Sequence, residues 1–203
     1  PILPASAVAL VFAATTPALL LLANRERRFI HSAFSHYLSP TLVGRLAEHP
    51  GELRLGGEIR DLTILFSDIR GFTTLSEKLD PDELTGLLND FLTPATDVLL
   101  RADATIDKYI GDAIMAYWGP PFTEHGEQAR LACLAAIEMT DRGAALRTEL
   151  PELIGVRAVP SDCDVRIGIA TGEVLGGSIG SEFMMRYTVM GAAVNLESRL
   201  AVA

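Results

Sequence analysis

Apolar residues form an unbroken run at the start of the chain, where residues 2–23 include no charged side chain. A membrane-spanning helix needs about 20 such residues, so we predict a transmembrane helix at residues 1–24. The basic cluster at residues 25–28 marks a cytoplasmic side. We therefore expect the inner or plasma membrane, with the rest of the chain in the cytoplasm. The alternative is a buried helix of a soluble protein, because prolines interrupt the run.

Helical spacing of apolar residues continues further along, at Phe34, Leu38, Leu42 and Leu46. This spacing predicts a connecting, signalling helix within residues 25–57, and Pro50 followed by glycine predicts its end. The chain starts with Pro1 rather than Met, so we expect further sequence upstream, such as a sensor domain.

Residues 58–203 carry strand and helix patterns in alternation and are predicted to form a separate domain. The predicted elements are a strand at 61–67, helices beginning at Thr74 and Pro81, a hairpin at Gly111 and Asp112, a helix at 127–150 ended by Pro151, strands at 164–174 and 186–190, and a helix from 192. The glycine-rich residues 176–180 are predicted to form a flexible connection. This order predicts an α+β fold of the ferredoxin-like β-α-β-β-α-β type with an antiparallel sheet.

The composition excludes two classes of function. A net charge of −9 and a pI near 4.9 provide no general attraction for nucleic acid, which we do not expect as a partner. Cys133 and Cys163 are the only cysteines, too few and too far apart for a zinc cluster or a disulfide framework.

Two aspartates are candidates for a metal site. Asp68 follows the first predicted strand, just before a helix start, and Asp112 lies in the predicted hairpin. Each has an ordinary structural explanation, a helix cap for Asp68 and a turn residue for Asp112. Neighbouring strands of one sheet can nevertheless bring the two carboxylates together, and such a pair can hold two metal ions for phosphoryl displacement. Backbone amides at the helix start would favour a phosphate in the same space.

The segments around these aspartates, LFSDIRGFT at residues 65–73 and DKYIGDA at 107–113, resemble the class III adenylyl and guanylyl cyclase family. The resemblance extends over about residues 58–203. It implies a signalling enzyme that converts ATP into 3′,5′-cyclic AMP and pyrophosphate, with two divalent cations, Mg²⁺ or Mn²⁺, as cofactors. The metal ligands that it implies are Asp68, Asp112 and the backbone carbonyl of Ile69. The residues that it implies at the substrate phosphates are Gly71, Phe72 and Thr73.

Lys108 corresponds to the family's base-reading residue. Its ammonium group can donate to N1 of adenine but would meet the N1–H of guanine, so Lys108 favours ATP. Thr188 stands where many members have Asp, and its hydroxyl discriminates less sharply because it can both accept and donate. Asn195 and Arg199 share a helix face, where the family uses Asn to orient the ribose and Arg to stabilise the reacting phosphate. The alternatives are a solvated strand lysine and a helix pair that makes surface hydrogen bonds.

The family builds each site from two subunits, which implies a homodimer with composite active sites. Metal ligands come from one subunit, and the counterparts of Lys108, Thr188, Asn195 and Arg199 come from its partner. The family also continues into a hairpin with a triphosphate-binding Lys, so we expect this chain to be truncated at its C-terminus. The main alternative is a catalytically silent, dimeric signalling domain of the same fold. A phosphohydrolase with Asp68 as nucleophile is disfavoured, because Arg70 stands where a second acidic residue is usual.

The predicted membrane helix can be tested by alkaline carbonate extraction of membranes from cells that express the intact protein. We expect the protein to stay in the membrane pellet, because residues 1–24 are uncharged and long enough to span. A variant that lacks these residues is the control and should be released. Release of the unaltered protein into the supernatant would assign the segment to a protein core instead.

Overall fold

The computed structural model describes residues 56–120, 123–124, 126–153, 164–181 and 183–196, together with Phe12. From residue 56 onward these all belong to one of the two units into which the chain divides, Glu48–Ala203. Apart from Phe12, the predicted membrane helix lies outside the described residues, as does nearly all of the connecting helix. Within the described ranges, no helix is long and apolar enough to cross a membrane.

The described domain consists of a single antiparallel sheet with helices inserted between its strands. Its elements are β1 (Gly56–Ile69), α1 (Phe72–Ser76), α2 (Pro81–Arg101), β2 (Thr105–Ile110), β3 (Ala113–Trp118), α3 (Gln128–Leu153), β4 (Val165–Ser181) and β5 (Met184–Met190). A helical turn follows at 192–196. The strand order in the sheet is β2-β3-β1-β4-β5, and every neighbouring pair is antiparallel. The predicted α+β class and antiparallel sheet are therefore confirmed.

The sheet buries apolar side chains on both faces, so β1 and β3 are almost continuously buried. One face packs on α2 and α3, with Leu65, Ile114 and Trp118 of the sheet against Phe91, Leu99 and Met139 of the helices. The opposite face holds a second cluster made of Leu62, Ile64, Met115, Tyr117, Ala170, Val174, Val189 and Ala193. Because both faces of the sheet pack against apolar side chains, β1 and β3 have continuous apolar runs instead of alternating apolar and polar residues.

The sheet is strongly curved, because its two edge strands touch. β2 and β5 stand at opposite ends of the strand order, yet the Lys108 ammonium on β2 donates to the Thr188 hydroxyl on β5 at 3.0 Å. This curvature wraps the second apolar cluster and brings residues 80 positions apart in the chain into contact.

The glycine-rich residues 176–180 are part of strand β4, although the sequence predicts a flexible connection there. β4 runs unbroken through residues 176–180, so the predicted flexible connection is wrong. Gly57 pairs with Gly177 across β1 and β4, and a Cβ on Gly177 would collide with the backbone of Gly56. Glycine at these positions therefore permits a close approach of two strands, and it does not mark a loop.

Two predicted helix ends differ from the structure. The first short helix begins at Phe72 after Gly71, whose left-handed φ of 75° turns the chain directly into the helix, so Thr74 is not its cap. Pro151 does not end α3, which continues to Leu153. Its fixed φ is compatible with a helix, so the loss of one hydrogen bond and crowding of the carbonyl four residues earlier disfavour the last turn without preventing it. The start of α2 at Pro81 is confirmed, with Asp80 and Glu83 forming a capping box.

Leu99 and Leu100 provide a matched test of the helix-facing core. Leu99 is fully buried, whereas Leu100 beside it on α2 is 40% exposed. Leu99→Ala should lower the free energy of unfolding by about 2–5 kcal/mol, and Leu100→Ala by less than about 1 kcal/mol. Urea unfolding can be followed by the fluorescence of Trp118, the single, buried tryptophan of this chain. Equal losses for both variants would contradict this account of the core.

Candidate active site

The sheet brings Asp68 and Asp112 into direct contact. The register of β1 and β3 pairs Ser67 with Ile114, so Asp68 at the end of β1 lies beside the β2–β3 turn that holds Asp112. Gly111 forms this turn with a left-handed φ of 65°. The backbone N–H of Ile69 donates to Oδ2 of Asp112 at 2.9 Å, and the Asp68 carboxyl group is close enough to raise the pKa of Asp112. These three residues therefore lie together, and their role as metal ligands stays a prediction.

Negative charge is concentrated at this carboxylate pair. Burial and, after it, the neighbouring Asp68 together raise the pKa of Asp112 to about 6, while the Ile69 N–H acts in the opposite direction. Two carboxylates in contact disfavour double ionisation unless a cation compensates them. The pair therefore favours either a proton shared between the two carboxyl groups or a cation that compensates both charges.

Arg166 provides a positive charge that the sequence analysis missed. It pairs directly with Asp68 across β1 and β4, and its Nη2 donates to Oδ2 of Asp68 at 2.8 Å. The available signal was a basic residue within the largely apolar strand predicted at 164–174. A guanidinium group here offsets part of the charge and can also donate to a phosphate oxygen.

The donor set fits hard divalent cations. Mg²⁺ and Mn²⁺ prefer oxygen ligands, and Mg²⁺ is commonly held by one or two carboxylates that leave other positions for substrate phosphates and water. Asp68 and Asp112 supply the carboxylates, and the backbone of Ile69 is in contact with them. Among the described residues there is no group of three or more His, Cys, Asp or Glu side chains that could hold a metal ion.

The residues expected at the phosphates follow directly after this pair. Gly71 precedes α1, and Phe72 and Thr73 form the first turn of that helix. The start of α1 has no side-chain cap, so a protein side chain does not occupy the amides of its first turn as a capping group would. These positions adjoin the carboxylate pair through the short segment after β1.

A second polar cluster joins Lys108, Thr188 and Asp107. The ammonium of Lys108 donates to the Thr188 hydroxyl at 3.0 Å and lies 3.0 Å from Oδ2 of Asp107. The Thr188 hydroxyl donates to the same Oδ2 at 2.9 Å. Lys108 and Thr188, to which the family resemblance gives the same role, thus lie in contact, and Asp107 is an additional member that the sequence analysis missed. We call these three residues the base-reading cluster, after the role that the family resemblance implies for Lys108 and Thr188.

The last two predicted residues lie near the end of the described chain. Asn195 is exposed in the helical turn after β5, and its backbone N–H donates to the carbonyl of Gly191 at 3.4 Å. Arg199 lies outside the described residues. The predicted helix start after β5 is confirmed, whereas the joint placement of Asn195 and Arg199 stays a prediction.

Comparison with known proteins identifies the family. The sequence model of the adenylate and guanylate cyclase catalytic domain matches residues 57–203. The chain belongs to this family. The match begins at the second residue of β1.

Curated relatives of this cyclase domain include adenylate cyclases. The chain is 34% identical to adenylate cyclase 1 of Rhizobium meliloti over 184 residues, which cover 87% of this chain and 26% of that protein. It is 37% identical to the adenylate cyclase of Anabaena cylindrica over 141 residues, 70% of this chain and 27% of that protein. The chain thus spans about a quarter of the length of these relatives.

Solved cyclase structures share the fold but differ in nucleotide. The adenylyl cyclase CyaB from P. aeruginosa is 37% identical, with a TM-score of 0.67 and coverage of 73% of this chain and 74% of that chain. The guanylyl cyclase Cya2 is also 37% identical, with a TM-score of 0.65 and coverage of 73% and 72%. Similarity to the two is equal in sequence, so the choice of base has to be argued from the site of this cyclase domain.

The carboxylate pair predicts specific loss of metal binding on mutation. Asp68→Asn and Asp112→Asn should each weaken Mn²⁺ binding at least about tenfold, because each removes one anionic ligand. Asp97→Asn is the control, since Asp97 is an exposed carboxylate that pairs with Arg101 on α2. Binding can be measured by the electron paramagnetic resonance signal of free Mn²⁺. Unchanged affinity in both site variants would mean that other groups hold the cation.

Proposed function

We propose that this chain is the catalytic domain of an adenylate cyclase, which converts ATP into 3′,5′-cyclic AMP and pyrophosphate. Family membership supports cyclase chemistry but includes enzymes for either purine. The observation that carries the choice of ATP is the contact of Lys108 with Thr188 at the curved edge of the sheet. Lys108 can donate to N1 of adenine, whereas guanine presents a donor at that position.

The reaction joins two atoms of one substrate molecule. The ribose 3′-oxygen attacks the α-phosphorus, the bond from that phosphorus to the bridging oxygen of the β-phosphate breaks, and pyrophosphate leaves as the 3′-hydroxyl proton is released. Two divalent cations held by Asp68, Asp112 and the Ile69 carbonyl would stabilise the charge on the attacking and leaving oxygens. The protein's contribution is mainly the orientation of the reacting groups and the placement of charge.

The remaining residues fit positions along the substrate. Arg166, beside Asp68, is suited to hold phosphate oxygens once a cation compensates that carboxylate. The amides after Gly71 would hold phosphate at the start of α1. By similarity to the family, Asn195 orients the ribose and Arg199 stabilises charge on the reacting phosphorus.

A homodimer with composite sites is part of the proposal. Exposed apolar side chains at the β4–β5 hairpin support a partner surface, and they are Leu175, Phe183, Met184, Met185 and Met190. Large exposed apolar patches commonly mark protein–protein contacts. We further propose that residues 1–24 anchor the enzyme in the inner or plasma membrane, with the catalytic domain in the cytoplasm and a sensor upstream.

The proposed activity can be tested with the intact enzyme, ATP and Mn²⁺, by quantifying cyclic AMP. Turnover should fall roughly a hundredfold or more in Asp112→Asn, because the carboxylate pair is broken. Asp97→Asn is again the control and should keep full activity. A folded, dimeric protein that binds ATP but forms no cyclic nucleotide would favour the silent signalling domain instead.

Complementation tests the composite site. Asp68→Ala and Arg199→Ala chains should each be inactive alone, whereas a mixture should regain activity, up to about a quarter of that of the wild type if chains pair at random and each mixed dimer has one intact site. The measurement is cyclic AMP formation after the two variants are co-expressed. Activity no higher than in the parent variants, despite heterodimer formation, would argue against a shared site.

A further inference from the structure

Asp107 occupies an unusual position, because it is the extra residue of a β-bulge. The register of β2 against β3 pairs Ile106 with Ala116 and then Lys108 with Met115, which leaves Asp107 without a partner position. Consecutive residues of a regular strand point to opposite faces. The bulge removes this alternation, so Asp107 and Lys108 both reach Thr188 on β5.

The Asp107 side chain is fully buried, whereas that of Lys108 is one-third exposed. Burial raises the pKa of Asp107, and the hydrogen bonds from Lys108 and Thr188 lower it. A buried carboxylate without partners would be strongly unfavourable. The side chains that stabilise the charge of Asp107 are therefore those of Lys108 and Thr188, both in the base-reading cluster, and the backbone of Val189 adds a weaker contribution.

The direction of each hydrogen bond follows from the chemistry of the groups. An ammonium can only donate and an ionised carboxylate can only accept, so the single Thr188 hydroxyl proton goes to Asp107. The hydroxyl oxygen then accepts from Lys108 and keeps one lone pair. Lys108 gives one proton to Thr188 and one to Asp107, and keeps the third. The cluster therefore presents one donor beside one acceptor.

This pattern is complementary to adenine and not to guanine. Adenine offers N1 as an acceptor and its 6-amino group as a donor, whereas guanine offers N1–H as a donor and O6 as an acceptor. We infer that Asp107 is a specificity-determining positioning residue, which fixes the Thr188 hydroxyl as an acceptor and thereby selects ATP over GTP. The inference rests on the proposed adenylate cyclase function.

Without Asp107, Thr188 would behave differently. Its proton would be free to rotate toward O6 of guanine, and Lys108 would lose the anion that holds its ammonium group. A threonine hydroxyl alone can donate to guanine or accept from adenine. The buried carboxylate of Asp107 fixes it as an acceptor. The inference therefore predicts sharper discrimination between ATP and GTP than Thr188 by itself would give.

The test compares ATP and GTP in the intact enzyme. Asp107→Ala should lower the ratio of kcat/KM for ATP to that for GTP by roughly ten- to a hundredfold. Asp107→Leu, which fills the buried space without an acceptor, should do the same and serves if the alanine variant does not fold. An unchanged ratio, within about twofold in a folded variant, would overturn the inference.

A double-mutant cycle separates positioning from a general structural role. In a Thr188→Ala background the hydroxyl is absent, so Asp107→Ala should change the ratio much less, because only the loss of the anion beside Lys108 remains. Adding Thr188→Asp to Asp107→Ala returns an obligate acceptor to the base edge and should restore preference for ATP. An equal effect of Asp107→Ala in both backgrounds, or no restoration by Thr188→Asp, would overturn the role of the hydroxyl.

Binding of nucleotide analogues keeps this test independent of turnover. Calorimetry with α,β-methylene ATP and α,β-methylene GTP should show the same loss of selectivity in Asp107→Ala. Absence of cyclic nucleotide from a wild-type enzyme that selects the ATP analogue would count against the proposed function alone. Normal cyclic AMP formation with selectivity unaffected by Asp107 would count against the inference alone.

Discussion

The pairing of β1 with β4 over all 14 residues of β1 is the constraint on which the rest of the domain depends. At one end it sets Arg166 opposite Asp68, and at the other it joins Gly57 to Gly177. Because β4 is 17 residues long, its second half is also available to pair with β5. The curvature of this long pair of strands brings Thr188 on β5 into contact with Lys108 on β2. Both the carboxylate pair and the base-reading cluster therefore depend on the pairing of β1 with β4.

The negative charge of the carboxylate pair and that of the base-reading cluster are compensated in different ways. Asp68 and Asp112 repel each other, and Arg166 alone leaves the cluster with excess negative charge, which suits added cations. Asp107 is compensated within the protein by Lys108. It therefore has no need of a metal, and its charge acts by orienting neighbouring groups. Similar carboxylates are thus suited to binding metal ions in one case and to fixing the direction of hydrogen bonds in the other.

Local patterns predicted much of the fold and the carboxylate pair. A strand end and a hairpin were sufficient to place Asp68 and Asp112 together, since both features are encoded by neighbouring residues. Prediction failed where the structural role of a residue depends on a strand that is distant in the sequence. Gly177 resembles a loop residue until its partner Gly57 is known. Asp107 was missed because regular alternation would direct it away from Lys108, and the bulge is visible only once β2 is paired with β3.

The bulge in β2 also bears on how the gene for this domain can vary over evolution. Removing one codon between Ile106 and Lys108 would restore regular alternation and rotate every residue on one side of the deletion to the opposite face. Amino-acid replacements in the hairpin change one side chain at a time and can be compensated one by one. A change in length alters the face on which Lys108 or Thr105 lies, together with the faces of all their neighbours. Natural variants of this hairpin should therefore differ in sequence but keep the same number of residues.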